Sequence, residues 1–435
     1  MTDQALEKRR RRNASIGFAS FFVFMLLHQA DKLLIGPLQG PIMKDFGMTN
    51  TQWGLINTGA LIVGSVFYPL WGWLYDRFSR PKLLSLASLL WGATTWLNGI
   101  APNFRTFLAT RASTGIDDSS YPGIYSLVSD WYPPAKRGKM YGIMQVAQPL
   151  GYLIAMVLGL ALVASLGWRR IFFVTGSLGI VLSFFIFLFV KDAPRGSMEP
   201  ELAGVQHLER FKFSWKEVAG LFRKRSLVVL FIQGFIGVFP WNVITYFFFG
   251  YLQMERGYDE TSTLLTMVPA VLVLAAGYPL GGLIGDRLFK RTLKGRVTVG
   301  AAGVLAGAVL LVATMSVPLG GSKLLFGALL AATALFIPFA APNVLSSFFD
   351  VTEPEIRATT NAVQNFIESI GSALAPLVAG IVADRFSIGS AILWICTITW
   401  ALCFVAFAFA GKYIPKDIED LRAKLSARAA SANAG

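Results

Sequence analysis

Apolar residues fall in long runs separated by short polar connectors. About 20 mostly apolar residues make a helix long enough to cross the hydrocarbon core of a bilayer. Twelve runs qualify: about 15–36, 52–75, 83–101, 105–131, 137–163, 169–190, 226–251, 262–285, 296–317, 322–349, 357–383 and 388–411. The predicted fold class is an all-α membrane protein with twelve transmembrane helices in two pseudo-symmetric six-helix bundles. With both termini on one side, 30 of the 39 Lys and Arg lie in tails and connectors on that side, and 7 on the other. Lys32 and Arg111 lie within spans. Such a bias marks the basic side as cytoplasmic. The expected location is the plasma membrane, multi-pass, with both termini in the cytoplasm.

Composition agrees. Of 435 residues, 54% are hydrophobic and 15% charged, where a soluble chain carries about 25% charged. Mean hydropathy is +0.56. A net charge of +14 would suit nucleic acid. Here the basic residues occupy connectors, with no basic stripe interleaved with aromatics, so no nucleic-acid partner is expected. The lysines and arginines from Lys8 to Arg12 precede an apolar run that contains Asp31 and Lys32 and reads as an uncleaved first span. Cys396 and Cys403 sit seven residues apart on the last span, roughly 10 Å along a helix and too far for a disulfide. They read as packing residues. No metal cluster, nucleophile–base set or phosphate loop is legible, so the chain reads as no enzyme, with no cofactor and no metal.

The longest polar connector, 191–225, follows the sixth span. It divides the chain into a bundle at 1–190, a cytoplasmic linker at 191–225, a second bundle at 226–411 and a cytoplasmic tail at 412–435. The linker segment 211–225 reads as a basic amphipathic helix at the membrane surface. The charged, Ala/Ser-rich tail reads as partly disordered. The halves repeat each other. Gly72-Trp-Leu-Tyr-Asp76-Arg77 follows span 2, and Gly282-Leu-Ile-Gly-Asp286-Arg287 follows span 8. Asp130 and Arg137 flank the turn between spans 4 and 5, as Asp350 and Arg357 flank that between spans 10 and 11. A two-fold repeat of six spans is a transporter architecture, with the substrate site near mid-membrane.

Charge inside an apolar run is costly, roughly 3 kcal/mol or more at mid-bilayer, and marks function. Arg111 and Asp118 are seven residues apart in span 4, two turns of one helix, and so share a face that Tyr121 and Tyr125 continue. Asp31 and Asp118 are the candidate protonation sites. Burial favours the neutral acid and a nearby arginine the carboxylate, so Arg111 can switch their proton affinity. This predicts that helices 1 and 4 face each other; a static buried ion pair is the alternative. His28, one turn before Asp31, either relays protons or packs. Lys32 either holds an anionic head group or pairs with Asp31, the pair being slightly favoured. Asp117 either lines the cavity or caps a neighbouring helix.

Glu368, in Gln364-Asn-Phe-Ile-Glu368, lies mid-span in helix 11 and is expected to face the cavity from the second half. Weaker lining candidates are Gln145 and Tyr152 on helix 5, Trp241, Asn242 and Tyr246 on helix 7, Asn343 on helix 10 and Gln364. Pro338, Pro342 and Pro376 suggest bent helices. At the cytoplasmic ends, Gly72 and Gly282 are expected to allow close helix approach. Asp76, Arg77, Arg80, Asp130, Arg137, Asp286, Arg287, Asp350 and Arg357 are expected to latch the halves together in one state and release them in another.

Gly72 to Lys82 nearly matches the GxxxD(R/K)xxR(R/K) signature of the major facilitator superfamily, with Pro81 added before Lys82. Arg111-Ala-Ser-Thr-Gly115 resembles that superfamily's helix 4 element. The resemblance covers essentially the whole chain. Within the superfamily the chain is similar to the Spinster-like transporters. Ala30-Asp31-Lys32 resembles their Leu-Asp-Arg. Gly115-Ile-Asp-Asp118-Ser-Ser-Tyr121 resembles their Gly-Val-Gly-Glu-Ala-Ser-Tyr. Lys191-Asp-Ala-Pro-Arg-Gly196 resembles their turn after helix 6. Lys32 stands where arginine is usual, and Asp118 with Asp117 where glutamate and glycine are. Ser129 to Gly138 resembles a turn of the anion:cation symporters. The first likeness implies lysolipid or sphingoid-like cargo and the second a small organic acid. Alternating access is expected from the two-fold repeat, protons as co-substrate from the candidate carboxylates, and a monomer from the superfamily likeness; an uncoupled facilitator is the rival.

Overall fold

A chain in a bilayer must satisfy its backbone polar groups internally, and helices do this within one segment. The structure, a computed structural model, describes residues 3–118, 120–132, 134–194, 198, 219–352 and 356–434. Among the described residues every regular element is helical. Ten helices are long and apolar enough to cross a membrane. The chain divides into two compact units, Met1–Arg210 and Phe211–Gly435. The linker helix expected at 211–225 lies mostly outside the described residues.

The first unit contains α1 (Asp3–Leu34), α2 (Gln39–Phe46), α3 (Asn50–Arg77), α4 (Arg80–Ile100), α5 (Phe104–Ser113), α6 (Gly115–Asp118), α7 (Pro122–Trp131) and α8 (Pro134–Phe189). Capping sets the ends of α3 and α5. Thr49 and Gln52 bond reciprocally across the start of α3, and the Asn103 side chain accepts from Thr106 N at 3.0 Å. The run α8 contains two predicted spans. Gly167, at φ 72° and ψ 154°, separates them, a left-handed backbone that glycine adopts without Cβ strain. The core of this unit packs Phe21 and Phe24 of α1 against Trp91 of α4, Ile124, Leu127, Val128 and Trp131 of α7 and Met144 of α8.

Span 4 is not the continuous helix predicted over 105–131. It breaks into α5, α6 and α7. Pro122 has no N–H to donate to the carbonyl of residue 118, which ends the ladder there. Neighbouring side chains take up freed backbone groups: Trp71 Nε1 donates to the carbonyl of Ile116 at 2.6 Å.

The second unit contains α9 (Arg225–Gly250), continued by a π turn at Tyr251–Glu255, α10 (Glu260–Phe289), α11 (Gly295–Met315), α12 (Lys323–Phe336), α13 (Ala340–Val351), α14 (Arg357–Arg385) and α15 (Ile388–Ala434). The predicted span 322–349 is two helices joined by a tight 3₁₀ turn at Ile337–Phe339, where Pro338 falls. Counting α8 as two crossings and α5–α7 as one, the described helices accommodate the twelve predicted spans.

The tail corrects an expectation of disorder. It continues α15 as helix to Ala434. Alanine, lysine, arginine and leucine favour helix. The apolar face also continues past the span: Ile414, Ile418 and Leu421 are buried, and Asp417 accepts a hydrogen bond from Ser226 at the start of α9.

Candidate functional site

The break in span 4 sits against α1 and α4, and charge gathers there. Gly115 opens α6 in tight contact with α3. A Cβ at this position would lie 2.2 Å from the carbonyl oxygen of Ala60 and 2.6 Å from the nitrogen of Gly64. Only glycine lets α6 approach that closely, and the approach positions Asp117 and Asp118.

His28 on α1 is the centre. It is 1% exposed, as is Asp117. Nε2 lies 3.0 Å from Asp117 Oδ2 and 3.6 Å from Asp118 Oδ1. Nδ1 bonds the Tyr121 hydroxyl. With Asp117 ionised, Nε2 donates to it and Nδ1 accepts from Tyr121, which sets the tautomer. The rings of Phe24, Trp91 and Tyr121 enclose the imidazole, at centroid distances of 5.3, 5.4 and 5.4 Å. Thr94 donates to the other oxygen of Asp117 at 3.2 Å.

Lys32 departs from the sequence expectation. Its ammonium lies 3.4 Å from Asp118 Oδ2, so it turns to α6 rather than to its neighbour Asp31. These two side chains are the accessible rim of the cluster, at 24% and 11% exposure. Asp31 instead accepts from Trp91 Nε1 at 2.9 Å and Thr95 Oγ1 at 2.8 Å, both through Oδ2. Arg111 is buried and donates to the carbonyl of Lys32 at 3.3 Å. Helices 1 and 4 therefore meet, as expected. The cation beside Asp118 is Lys32, however, because the helix break ends the shared face that would have aligned Arg111 with it.

Three carboxylates, Asp31, Asp117 and Asp118, thus lie among two permanent cations, Lys32 and Arg111, and one imidazole. The ligand atoms of His28, Asp117 and Asp118 fall within 4.8 Å of one another, close enough to share a metal ion. Lys32 places a fixed positive charge on that group, which suits a proton better than a divalent cation. The sequence reading missed Trp91, Thr94 and Thr95. Polar side chains at helical spacing in span 3 were the available signal.

The remaining candidates separate. Tyr125 packs on the first unit's core, and Tyr152 is buried. In the second unit Trp241 is half-buried, Tyr246 is buried, and Asn242 donates to its own helix at Val238 O. Asn343 stitches helices together, donating to the carbonyls of Gly281 and Phe339 at 2.9 and 2.8 Å. Gln364 donates to Glu368 one turn on, and both press against Gly234 of α9. The side chains of Asp76, Arg137, Gln145 and Arg357 lie outside the described residues.

At the basic ends of the helices, one arginine in each unit gathers acids. Arg80, 2% exposed, holds Asp130, Asp192, Ser126 and the carbonyl of Ala193. Arg296 holds Asp286 at 2.9 Å and Asp350. The sequence marks Asp192 only within the turn after the sixth span, with no role, and does not single out Arg296. Arg77 lies over the ring of Trp73 at 4.3 Å, and Arg287 is exposed. The glycines of the two motifs are not tight contacts here. A Cβ on Gly72 would meet open space, and one on Gly282 an ordinary contact with Pro342 at 3.6 Å.

Comparison with known proteins places this geometry. Residues 16–376 match the model of the Major Facilitator Superfamily. The chain is 26% identical to the probable sulfoacetate transporter of Cupriavidus necator, over 82% of this chain and 84% of that one. It is 30% identical to protein spinster of Drosophila melanogaster, over 86% of this chain and 63% of that one. A solved bacterial homologue of the human lysosomal transporter Spinster, inward-facing and unoccupied, aligns with a TM-score of 0.75 at 19% identity. That alignment covers 94% of this chain and 97% of that one, and shows the common fold. The chain is a multi-pass membrane protein that belongs to the Major Facilitator Superfamily of transporters.

Proposed function

We propose that this transporter couples proton movement to that of an organic anion by alternating access. The observation that supports it most is the charge balance at the helix break. Three carboxylates face two permanent cations, and an unbalanced charge in a low-dielectric interior is costly. One proton, held by His28 or shared with Asp117, makes the set neutral. An anionic group drawn to Lys32 takes the cation from Asp118 and adds a negative charge. A proton on Asp118 restores the balance. Anion and proton then travel together, with Lys32 as substrate contact and Asp118 as the group that changes protonation.

The substrate class is an anionic organic solute. The Spinster likeness favours an amphipathic one, such as a lysolipid or phosphorylated sphingoid base. The likeness to a probable sulfoacetate transporter supports a second reading, a small organic acid. Glu368 with Gln364 is the polar pair that the second unit offers within its own bundle. The Lys/Arg bias supports cytoplasmic termini; a plasma-membrane location and a monomer are what the superfamily likeness implies.

The test is uptake into proteoliposomes under an imposed pH gradient, with lysophosphatidic acid and sulfoacetate as probes, for wild type and Asp118→Asn. Gradient-driven uptake by wild type, lost in the variant while downhill exchange persists, is the expected result. Uptake indifferent to both gradient and substitution would make the protein an uncoupled facilitator. Uptake of sulfoacetate alone would select the small-acid reading.

A further inference from the structure

The inner face of α4 carries more polarity than the carboxylates use. Trp91, Thr94, Thr95 and Asn98 recur at spacings of three, four and seven, which places them on one face of the helix. All four are buried, Thr95 and Asn98 completely. Trp91 and Thr95 reach Asp31, and Thr94 reaches Asp117. Asn98 falls between Thr94 and Thr95 in angle, one turn nearer the end of α4 opposite Arg80. Both atoms of its amide lack a hydrogen-bond partner among the described residues.

Other partnerless buried atoms belong to the same bundle interior. Among them are Asp31 Oδ1, Arg111 Nε and Ser120 Oγ. A buried polar atom without a partner costs free energy, and buried water commonly meets this need by bonding about three such groups. An apolar residue at position 98 would be the cheaper choice if packing were the only demand.

The geometry points to a hydrated proton path inside the first unit, running along α4 from Asn98 to Asp31 and on through His28 to Asp117. It rests on the proton-coupled reading and adds the route. Protons reach the cluster from behind, through the bundle, while the Lys32–Asp118 rim meets the substrate. The charged and titratable groups along this interior are His28, Asp31 and Lys32 on α1, Arg111 on α5, Asp117 and Asp118 on α6, and Tyr121 just before α7. Asn98 is a positioning residue for water and carries no proton itself.

The test uses the full chain reconstituted in lipid, followed by infrared difference spectroscopy after a downward step in bulk pH, with protons and deuterons as the probes. The wild type is expected to show a protonated-carboxyl band that shifts in deuterium oxide and diminishes in Asp118→Asn, which removes the carboxyl that His28 Nε2 reaches at 3.6 Å. Asn98→Leu is expected to slow the rise of that band at least about tenfold with its final amplitude unchanged. Asn98→Ser, polar and smaller, keeps the wild-type rate. Equal rates in wild type and Asn98→Leu overturn the path. An altered amplitude in both Asn98 variants also overturns it, because a packing role moves the equilibrium rather than the rate. A wild type with no titrating carboxyl overturns the coupling as well, whereas the Asn98 outcomes bear on the route alone.

Discussion

Asp117 and Asp118 are neighbours in sequence with different surroundings. Asp117 is enclosed by His28 and Thr94, while Asp118 shares its carboxylate with Lys32 at the rim. Their substitutions should therefore part company. Asp118→Asn leaves Lys32 without its carboxylate partner, so anion affinity is expected to hold or rise while the pH dependence of uptake is lost. Lys32→Gln is expected to weaken anion binding about tenfold or more, since a charge-assisted contact contributes roughly 1.5–3 kcal/mol. Direct binding of radiolabelled substrate at two pH values checks both. Equal loss of binding in the two variants would show that the pair only holds the helices together. Asp117→Asn takes the charge and one of two acceptor oxygens from a buried carboxylate that serves both His28 and Thr94, and is expected to lower thermal stability more than Asp118→Asn does.

The break in span 4 is the element on which the site depends, and close packing of α6 on α3 holds it in place. Gly115→Ala drives a Cβ into backbone atoms that cannot rotate away. Overpacking of this kind costs about 1–3 kcal/mol. Gly327→Ala on α12, whose Cβ would come only within 4.0 Å of Thr266, is expected to stay within about 0.5 kcal/mol of wild type. Thermal unfolding of the two variants in detergent tests the contrast, and equal midpoints would refute it. The break also shows what the sequence could and could not tell. Apolar run length and the Lys/Arg bias pointed to the spans, because lipid imposes both. Asp31, Arg111 and Asp118 stood out because charge is rare in such runs. Pro122 did not stand out as a break, since proline inside spans is ordinary, as Pro69, Pro149, Pro240 and Pro376 are here. Trp91, Thr94 and Thr95 look like common span residues until folding brings them to Asp31 and Asp117. The tail's helix depended on a buried face that only folding supplies, with Asp417 held by Ser226 of α9.

At the scale of the whole molecule, the two units repeat one device with different strength. In each, an arginine at the start of the third helix bonds an aspartate at the end of the fourth: Arg80 with Asp130, and Arg296 with Asp350. The bond ties the basic ends of the third and fourth spans together within each unit. The surroundings differ. Arg80 is 2% exposed and also bonds Asp192 beyond the sixth helix. Arg296 is 17% exposed, and its second partner Asp286 is 60% exposed. Removing one member of a buried ion network leaves stranded charge and costs about 3–5 kcal/mol. An exposed pair contributes about 0–1 kcal/mol. Arg80→Ala is therefore expected to lower the unfolding midpoint well below that of Arg296→Ala. The double variant Arg80→Ala with Asp130→Asn should recover part of the loss, because it removes one stranded carboxylate. If Arg296→Ala proved as damaging as Arg80→Ala, burial would not be what distinguishes the two hubs. The difference in solvent access would then have no energetic consequence.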